Sequence, residues 1–299
     1  MGPDDGPTVR DVLARANADA QALREGRVFV ALRRVRRADE AVRDGDVVEV
    51  APPRLTSAQP IAILAETRDL VAVDKPAGVP TIADHGGAAH ALVALSARAL
   101  GIAESDLHPT SRLDRDVSGV VVFARTRAAA RRLVRAREDG VYERRYAAIA
   151  ARDPSGDGGT WDAPIGRAKD PRLRSVGGRE ATDAATRYAV CARAPGGAAL
   201  LSLAPLTGRT HQIRVHAAHA GAPLIGDRAY GGPARITLPS GRVVEPRRIA
   251  LHAARVVVPD ESGAPFAVSS PIPADVRDLW VLLGGEADAW ELVTSCAPG

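Results

Sequence analysis

Strand-like apolar runs recur through most of this chain, and helix-like segments are interspersed among them without regular alternation. The predicted strands fall at 69–80 (interrupted by a Pro/Gly loop), 119–125, 143–152, 185–193, 199–206 and 249–259, and the predicted helices at 88–100, 127–139, 210–220 and 273–283. A doubly wound parallel sheet needs a helix between successive strands. The observed order therefore favours an α+β fold over that architecture.

A shorter unit precedes this main body. Its predicted elements are a helix over 8–25, strands over 27–32 and 46–50, and a linker over 51–60. We therefore predict a small N-terminal domain with its linker over residues 1–56 and a main domain over residues 57–299.

The composition limits the setting in which the chain can work. It carries a net charge of +4 over 299 residues, which is compatible with a polyanionic partner without requiring one. No apolar run is long enough to span a bilayer, and no secretion signal opens the sequence. Cys191 and Cys296 lie far apart in sequence, so no disulfide framework or metal-ligand pattern can be built from them. We expect a soluble, reduced, cytoplasmic protein.

The most informative single stretch is the loop SRLDRDVSG at 111–119, which runs directly into the strand-like VVVFART at 120–126. Asp114 stands in this loop between Arg112 and Arg115. A guanidinium close by would stabilise the ionised carboxylate at neutral pH. An aspartate in a loop before a strand is also a common turn former. Its position alone therefore makes Asp114 a candidate functional residue and no more.

A second cluster of basic residues opens the predicted helix 210–220. Arg209, Thr210 and His211 form its entry, and Arg214 follows. Positive side chains at a helix N-terminus are unfavourable by about 0.3–1 kcal/mol each, unless an anion binds the free backbone N–H groups. The cluster is either an exposed basic helix start or a site for a phosphate, for Asp114, or for both. The second interpretation makes Arg209, Thr210 and His211 candidate substrate-binding residues.

Other chemistry-bearing residue types give weaker signals. Histidines that could act as ligands or bases are His108, His211, His216, His219 and His252. The His-x4-His spacing lacks a clear third carboxylate ligand, so no metal site is predicted. A Gly-rich phosphate loop and a nucleophile elbow are both missing from the sequence, so no nucleotide cofactor is expected. Tyr146 and Tyr188 lie in predicted strands, where an aromatic side chain is usually part of the core.

Several segments, taken together, resemble the RluA-type pseudouridine synthases, which isomerise uridine within RNA. The matching segments are VDKPAGVP (73–80), SRLDRDVSGVVVFART (111–126), RRYAAIA (144–150), PLTGRTHQIRVHAAHAGAPLIGDRAYG (205–231), and IALHAARVVVP with PFAVSSPIPAD (249–259 and 265–275). They occur in the family's order and cover roughly residues 60–282. Each motif is weak by itself, and their shared order carries the resemblance.

The resemblance implies a mixed, mainly antiparallel sheet with flanking helices. It also implies an enzyme that needs no cofactor and acts on ribosomal or transfer RNA, with no membrane or protein partner. A monomer is expected. The N-terminal unit is similar, more loosely, to the small RNA-binding domain that often precedes this catalytic domain.

The resemblance also implies roles for individual residues. Asp114 corresponds to the family's essential aspartate, and Arg214 to the arginine that pairs with it. Arg112 corresponds to the arginine that enters the RNA stack when the target base flips out, and Tyr146 to the aromatic residue that lies against that base. The reaction detaches uracil from its sugar, turns it and rejoins it through carbon. Asp114 would act as nucleophile or as base toward the ribose, and the sequence leaves both routes open.

Two positions depart from the family pattern. Ser111 stands where a histidine is usual, and Val117 where a threonine is usual. An RNA-binding or RNA-chaperone protein without catalysis therefore stays open as an alternative. A hydrolase that uses Asp114 with His211 or His216 is a further one.

Two basic runs are candidates for salt-dependent contacts with RNA phosphates. One is Arg127, Arg131 and Arg135, which share a face of the predicted helix 127–139, and the other lies within 33–37. Both are equally compatible with a solvated surface.

Overall fold

The structure is a computed structural model that describes residues 7–16, 21–24, 27–30, 33–35, 37–43, 46, 48–50, 61–83, 89–238, 241, 243–296 and 298. The chain divides into two compact units, Met1–Ala58 and Gln59–Gly299. The predicted linker 51–60 lies outside the described residues.

The smaller unit packs two short helices against a three-stranded antiparallel sheet. Its elements are α1 (Val9–Arg15), α2 (Gln21–Arg24), β1 (Val28–Val30), β2 (Arg33–Arg34) and β3 (Val48–Val50), with strand order β2-β1-β3. Thr8 and Asp11 form a capping box at the start of α1. The prediction of one helix over 8–25 was wrong in extent, because α1 ends at Arg15 and the exposed Ala16 is its C-cap.

The larger unit is built on a ten-stranded sheet. The strands of the larger unit, including those of its smaller sheets, are β4 (Ala62–Glu66), β5 (Leu70–Lys75), β6 (His108–Pro109), β7 (Ser118–Ala124), β8 (Glu143–Ala150), β9 (Gly158–Trp161), β10 (Ile165–Arg167), β11 (Arg174–Val176), β12 (Arg179–Thr182), β13 (Thr186–Arg193), β14 (Ala199–Pro205), β15 (Ile236–Thr237), β16 (Val243–Val244), β17 (Leu251–Pro259) and β18 (Pro265–Ser269). Its helices are α3 (Leu92–Leu100), α4 (Arg127–Glu138), α5 (Gln212–His219), α6 (Ala274–Leu282) and α7 (Ala289–Ser295).

The main sheet has the order β4-β5-β7-β17-β8-β14-β13-β9, with β18 on β17 and β6 on β7. The pairing of β7 with β17 is parallel, and the other pairs of this sheet are antiparallel. A separate antiparallel sheet has the order β11-β10-β12, and β15 pairs with β16. The sheet is thus mixed and largely antiparallel, and the predicted α+β fold is confirmed.

Alternation along β8 decides which residues face which helices. Tyr146, Ala148 and Ala150 belong to a buried cluster that includes Ile213 of α5. Ala147 and Ile149 belong to the cluster on the opposite face, with Trp280 of α6 and Trp290 of α7. Because successive strand residues point to opposite faces, Tyr146 must lie on the α5 side of the sheet.

Helix α4 follows its predicted range closely, and the Thr126 side chain caps its start. Ala129, Leu133 and Ala136 form the buried stripe of this helix. They belong to one core cluster with Leu70 and Val122 of the sheet. Val134 is apolar but 46% exposed. The apolar face follows the i, i+4, i+7 spacing from Ala129 and leaves Val134 outside.

The predicted helix 88–100 begins at Leu92, and residues 84–88 lie outside the described part of the chain. The predicted helix 210–220 begins at Gln212, because His211 adopts the left-handed conformation (φ 58°, ψ 18°) and cannot belong to the first turn of a right-handed helix. Within the described residues, no helix is long and apolar enough to cross a membrane.

Gly119 fixes how the chain enters β7 from the loop that carries Asp114. Its φ is +118°, and a Cβ atom there would lie 2.2 Å from the carbonyl oxygen of Ala253 on β17. Only glycine permits this backbone approach. The register of the parallel β7–β17 pair is thereby fixed directly after the Asp114 loop.

Candidate active site

The loop that carries Asp114 is fastened on both sides of that residue. Before it, Leu113 donates its backbone N–H to Thr81 Oγ1 at 3.1 Å, and the Thr81 hydroxyl donates to the Leu113 carbonyl at 3.0 Å. After it, the Arg115 carbonyl accepts from Lys75 Nζ at 2.9 Å. The Asp114 backbone is therefore held from β5 and from the segment that follows β5.

Lys75 is fully buried at the end of β5. Its ammonium group donates to the carbonyls of Pro76 and Arg115. Burial lowers the pKa of Lys75 to about 7, while the nearby negative charges of Asp116 and Asp114 oppose that shift. A titratable side chain thus supports the loop at neutral pH.

Arg214, from α5, joins two carboxylates. Its Nη1 donates to Asp114 Oδ2 at 2.9 Å, and its Nε and Nη2 donate to Asp227 Oδ2 and Oδ1 at 2.7 and 2.8 Å. Burial disfavours the guanidinium charge, but the contacts with Asp227 and Asp114 outweigh it and raise the pKa of Arg214. Arg214 is a permanent cation whose direction is set by the buried Asp227.

His211 and Tyr230 complete the surroundings of Arg214. The Arg214 guanidinium lies 4.8 Å from the centroid of the Tyr230 ring, within the range of a cation–π contact. The Tyr230 hydroxyl lies 2.7 Å from His211 Nδ1, and His211 Nε2 lies 3.9 Å from Asp114 Oδ2. These side chains surround Asp114 on the α5 side.

A cavity opens at this cluster, with a volume of about 470 Å³ when the space open to solvent is included. Its lining includes Arg112, Asp114, Tyr146, Arg209, His211 and Arg214, together with the apolar Leu113, Val117 and Leu251. Tyr146 is buried to 8% exposure in the wall, and burial raises the pKa of its phenol. A formed pocket that combines these apolar side chains with convergent polar and charged groups suits a small planar ligand.

A larger cleft, about 1,520 Å³ when the space open to solvent is included, shares the Asp114 loop with this cavity. Arginines dominate its charged lining: Arg112, Arg115, Arg137, Arg144 and Arg209. Thr210 and Ser111 also line it. A concave surface with this charge attracts polyanions.

Ser111, one of the two departures from the family pattern, is hydrogen-bonded to a buried tyrosine of this region. Its Oγ lies 3.2 Å from Tyr142 Oη. The guanidinium groups of Arg137 and Arg144 lie 5.0 and 5.9 Å from the centroid of the Tyr142 ring. Val117, the other departure, is buried beside Tyr146 in the α5 cluster.

The residues singled out from the sequence come together in space, with one difference in detail. Thr210 lines the large cleft and is absent from the lining of the smaller cavity. Polar groups at the start of α5 bind one another: Arg209 N and Thr207 Oγ1 both donate to Gln212 Oε1. Asp114 therefore receives its hydrogen bond from the Arg214 side chain, which fills the role expected of the helix N–H groups.

The sequence did not identify four residues of the site as candidate functional residues: Lys75, Thr81, Asp227 and Tyr230. Two signals could have found some of them. Asp227 and Tyr230 stand in the quoted segment GDRAYG, and Lys75 is one of two lysines in a chain rich in arginine. Thr81 gave no signal.

The histidines considered as bases differ in their surroundings. His216 is buried, with Nδ1 3.0 Å from Thr186 Oγ1 and Nε2 2.9 Å from the Ala163 carbonyl, so both ring nitrogens are engaged. His252 is buried and bonded to Ser118 and to the Ser270 carbonyl. In the described part of the chain, no group of three His, Cys, Asp or Glu side chains is arranged to hold a metal ion.

Comparison with known proteins relates this geometry to one family. A sequence model described as RNA pseudouridylate synthase matches residues 69–219. Ribosomal large subunit pseudouridine synthase D of Xanthomonas campestris is 36% identical over 256 residues, covering 80% of this chain and 76% of the relative. The mitochondrial pseudouridylate synthase RPUSD4 of Xenopus tropicalis is 32% identical over 259 residues, covering 72% of this chain and 78% of the relative.

Solved structures agree at the level of the fold. The human RNA pseudouridylate synthase domain containing 4 is similar with a TM-score of 0.60 and 24% identity, covering 74% of this chain and 92% of that one. The chain belongs to the RNA pseudouridylate synthase family. It is an RNA pseudouridine synthase, an isomerase, and its resemblance to the RluA type is confirmed by relatives named ribosomal large subunit pseudouridine synthase D.

Proposed function

We propose that the protein converts specific uridines of ribosomal or transfer RNA to pseudouridine, with Asp114 as the essential carboxylate and the target base flipped into the smaller cavity. The observation that supports this most strongly is the contact of Asp114 with Arg214 in a cavity that Tyr146 also lines. Relatives named as ribosomal large subunit enzymes favour ribosomal RNA as the substrate.

Asp114 is the group that acts on the ribose in this proposal. Arg214 binds its Oδ2 and stabilises the negative charge, so Oδ1 is the oxygen available to attack C1′ or to accept a proton. Arg214 makes two further bonds to Asp227 and cannot easily turn away. The carboxylate is thus held in one orientation toward the cavity.

Tyr146 and the apolar walls act on the base. A uracil stacked against Tyr146 would be shielded from water, and the cavity would keep the detached base close to the sugar. No energy source is needed, since within the same nucleotide the C1′–N1 bond breaks and a C1′–C5 bond forms, while C5 loses a proton and N1 gains one. We propose that no cofactor takes part.

Base flipping explains the arginines of the large cleft. Taking a nucleotide out of an RNA stack costs a few kcal/mol. Arg112 is exposed and lines both cavities, so its side chain can fill the vacated place in the stack. Arg209, Thr210 and His211 stand next to it and are proposed to contact the flipped nucleotide and its neighbours.

The outer face of α4 is proposed to bind RNA phosphates. Arg127, Arg131 and Arg135 are exposed and follow one another at four-residue intervals, an arrangement of like charges that weakens an isolated helix. In the described part of the chain they form no ion pair, so they are available to an anion. Phosphate contacts of this kind supply affinity that falls with salt concentration.

The N-terminal unit is proposed to assist RNA binding. Of the basic run 33–37, Arg37 is bound to Asp39, with Nη2 2.6 Å from Oδ2, so it offers little free charge. Arg36 lies outside the described residues. We further propose that the enzyme is a cytoplasmic monomer.

Substituting Asp114→Asn tests this function. We expect the variant to fold and bind RNA but to form no pseudouridine in a single-turnover assay on total RNA from a strain lacking the gene. Asp106→Asn removes an exposed aspartate on a short 3₁₀ turn and is the matched control, with wild-type turnover expected. Wild-type turnover by Asp114→Asn would disprove the role of Asp114.

The same assay separates the alternatives. RNA binding without any isomerised uridine in the wild-type protein would indicate a binding protein. Released uracil or cleaved RNA would indicate a hydrolase, whereas pseudouridine has the same mass as uridine. A transcriptome-wide map of pseudouridine with and without the protein would then identify the substrate.

A further inference from the structure

A chain of polar groups leads from the β10–β11–β12 sheet to Asp114. The backbone N–H of Arg174, on β11, donates to the Tyr230 hydroxyl oxygen at 3.0 Å. That hydroxyl lies 2.7 Å from His211 Nδ1. His211 Nε2, on the other side of the ring, lies 3.9 Å from Asp114 Oδ2.

The two ends of this series of polar groups indicate which atoms of Tyr230 and His211 carry the hydrogens. A backbone N–H can only donate, so Arg174 occupies a lone pair of the Tyr230 oxygen. Among the described residues, His211 Nδ1 is the acceptor in contact with the Tyr230 hydroxyl, so we assign the Tyr230 proton to this contact. At the other end an ionised Asp114 can only accept, so the nitrogen that faces it should carry the hydrogen.

We propose that His211 is a positioning residue whose neutral, Nε2-protonated ring directs its N–H at Asp114 Oδ2, and that Tyr230, held by Arg174, selects this tautomer. The proposal rests on the proposed role of Asp114. It narrows the role of His211 from a general contact with substrate to the control of one carboxylate oxygen.

The charges around His211 favour the neutral ring on balance. Burial opposes the imidazolium most strongly, and Arg214 and Arg174 add to that effect, whereas Asp114 and Asp227 oppose it. The result is a pKa of His211 below its usual value. Burial also raises the pKa of Tyr230, so the hydroxyl keeps the proton that it donates.

The distance of 3.9 Å is about 1 Å longer than a hydrogen bond. Catalytic hydrogen bonds are often long in the free enzyme and shorten when substrate binds. With this contact formed, Oδ2 would receive two donors, the Arg214 guanidinium and the His211 N–H. Oδ1 would be left as the reacting oxygen.

The backbone of His211 provides a way to separate chemistry from structure. Its φ of 58° lies in the left-handed region, which asparagine tolerates better than glutamine. An asparagine amide reaches about as far as Nδ1, and a glutamine amide about as far as Nε2. If only backbone strain matters, His211→Asn should be the better variant. If an N–H at the Nε2 position matters for the reaction, His211→Gln should be the more active variant.

Single-turnover rates and thermal stability of both variants test the proposal. We expect His211→Gln to lose roughly tenfold in rate and His211→Asn roughly a hundredfold, as expected when one hydrogen bond to a charged group is removed. We expect His211→Asn to be at least as stable as His211→Gln. An asparagine variant as active as the glutamine variant would overturn the proposal.

The tautomer can be measured directly in the free protein. In 15N-histidine-labelled enzyme, the His211 signals are those missing from His211→Gln. We expect a protonated Nε2 and an unprotonated Nδ1 at about pH 7, and a mixture of tautomers in Tyr230→Phe.

A protonated Nδ1 in the wild-type enzyme, or an unchanged tautomer in Tyr230→Phe, would overturn the proposal. This measurement needs no catalysis, so its failure is distinct from a failure of Asp114→Asn to abolish turnover.

Discussion

Arg214 is bound to Asp227 through two hydrogen bonds, from Nε to Oδ2 at 2.7 Å and from Nη2 to Oδ1 at 2.8 Å. This paired contact leaves Nη1 as the donor directed at Asp114. Because Asp227 is almost fully buried, it cannot move without opening the core. The orientation of the Asp114 carboxylate is therefore set indirectly, by a second carboxylate that is absent from the cavity lining.

The first prediction concerns this second carboxylate. Substituting Asp227→Asn replaces one acceptor oxygen by an amide and releases Arg214 from its paired contact. We expect the free energy of unfolding to fall by about 2 kcal/mol. We also expect the single-turnover rate to fall roughly a hundredfold, because displacing a catalytic group by about 1 Å has effects of this size.

Asp275→Asn is the control, measured by the same urea unfolding and rate assays. It breaks the ion pair of Asp275 with Arg248, in which the Asp275 side chain is 50% exposed. A decrease below about 1 kcal/mol and an unchanged rate are expected. A stably folded Asp227→Asn variant with the wild-type rate would show that Arg214 is directed by other contacts.

The second prediction concerns the dependence of stability on pH. The pKa of Lys75 is lowered to about 7 in the folded protein, from a usual value near 10.5. Between these values the unfolded chain binds more protons than the folded one, so stability rises with pH. Lys75 should contribute a slope of up to about 1.4 kcal/mol per pH unit from pH 7 to about 10.

Lys75→Met removes this titration while keeping the side-chain volume similar. We expect the difference in unfolding free energy between wild type and variant to rise from pH 7 to pH 9 in favour of the wild type. The variant should also lose activity, because Lys75 no longer holds the Arg115 carbonyl beside Asp114. Parallel curves for the two proteins would show that Lys75 does not titrate in this range.

The regular part of the fold was predictable because its signals are local. Helix α4 has an N-cap and an apolar stripe, and strand β7 contains the apolar run 120–124 and is buried along its length. The strands β10, β11 and β12 were not predicted. They are three or four residues long, and β12 is exposed throughout, so they show no apolar alternation to detect.

The site was predictable mainly through the family resemblance, although the basic entry of the predicted helix 210–220 already suggested a contact with Asp114. No periodicity indicates that Asp114 and Arg214, a hundred residues apart, lie 2.9 Å from each other. Neither the local sequence pattern nor the family resemblance predicts the hydrogen bond from Arg174 to Tyr230, since it depends on how an unpredicted sheet packs against α5. The start of α5 was predicted two residues too early, because the sequence does not reveal the left-handed backbone of His211, whose ring contacts Tyr230.

The third prediction concerns the outer face of α4. Replacing Arg127, Arg131 and Arg135 together by glutamine should weaken RNA binding, because the row of charges can neutralise phosphates of a bound strand. For a single-stranded substrate, the slope of log K against log salt should become shallower by about 2, or about 0.7 for each phosphate that is no longer neutralised. Turnover at saturating RNA should change little, since these side chains do not line either cavity at Asp114.

A triple glutamine variant at Arg193, Arg235 and Arg277 provides the control for net charge. Arg193 and Arg235 are paired with acidic residues, and Arg277 lies exposed on α6. Both variants lose the same total charge, so a long-range effect of net charge would alter their salt slopes equally. A larger decrease for the α4 variant would identify that helix face as a phosphate-binding surface, whereas equal slopes would remove α4 from the RNA interface.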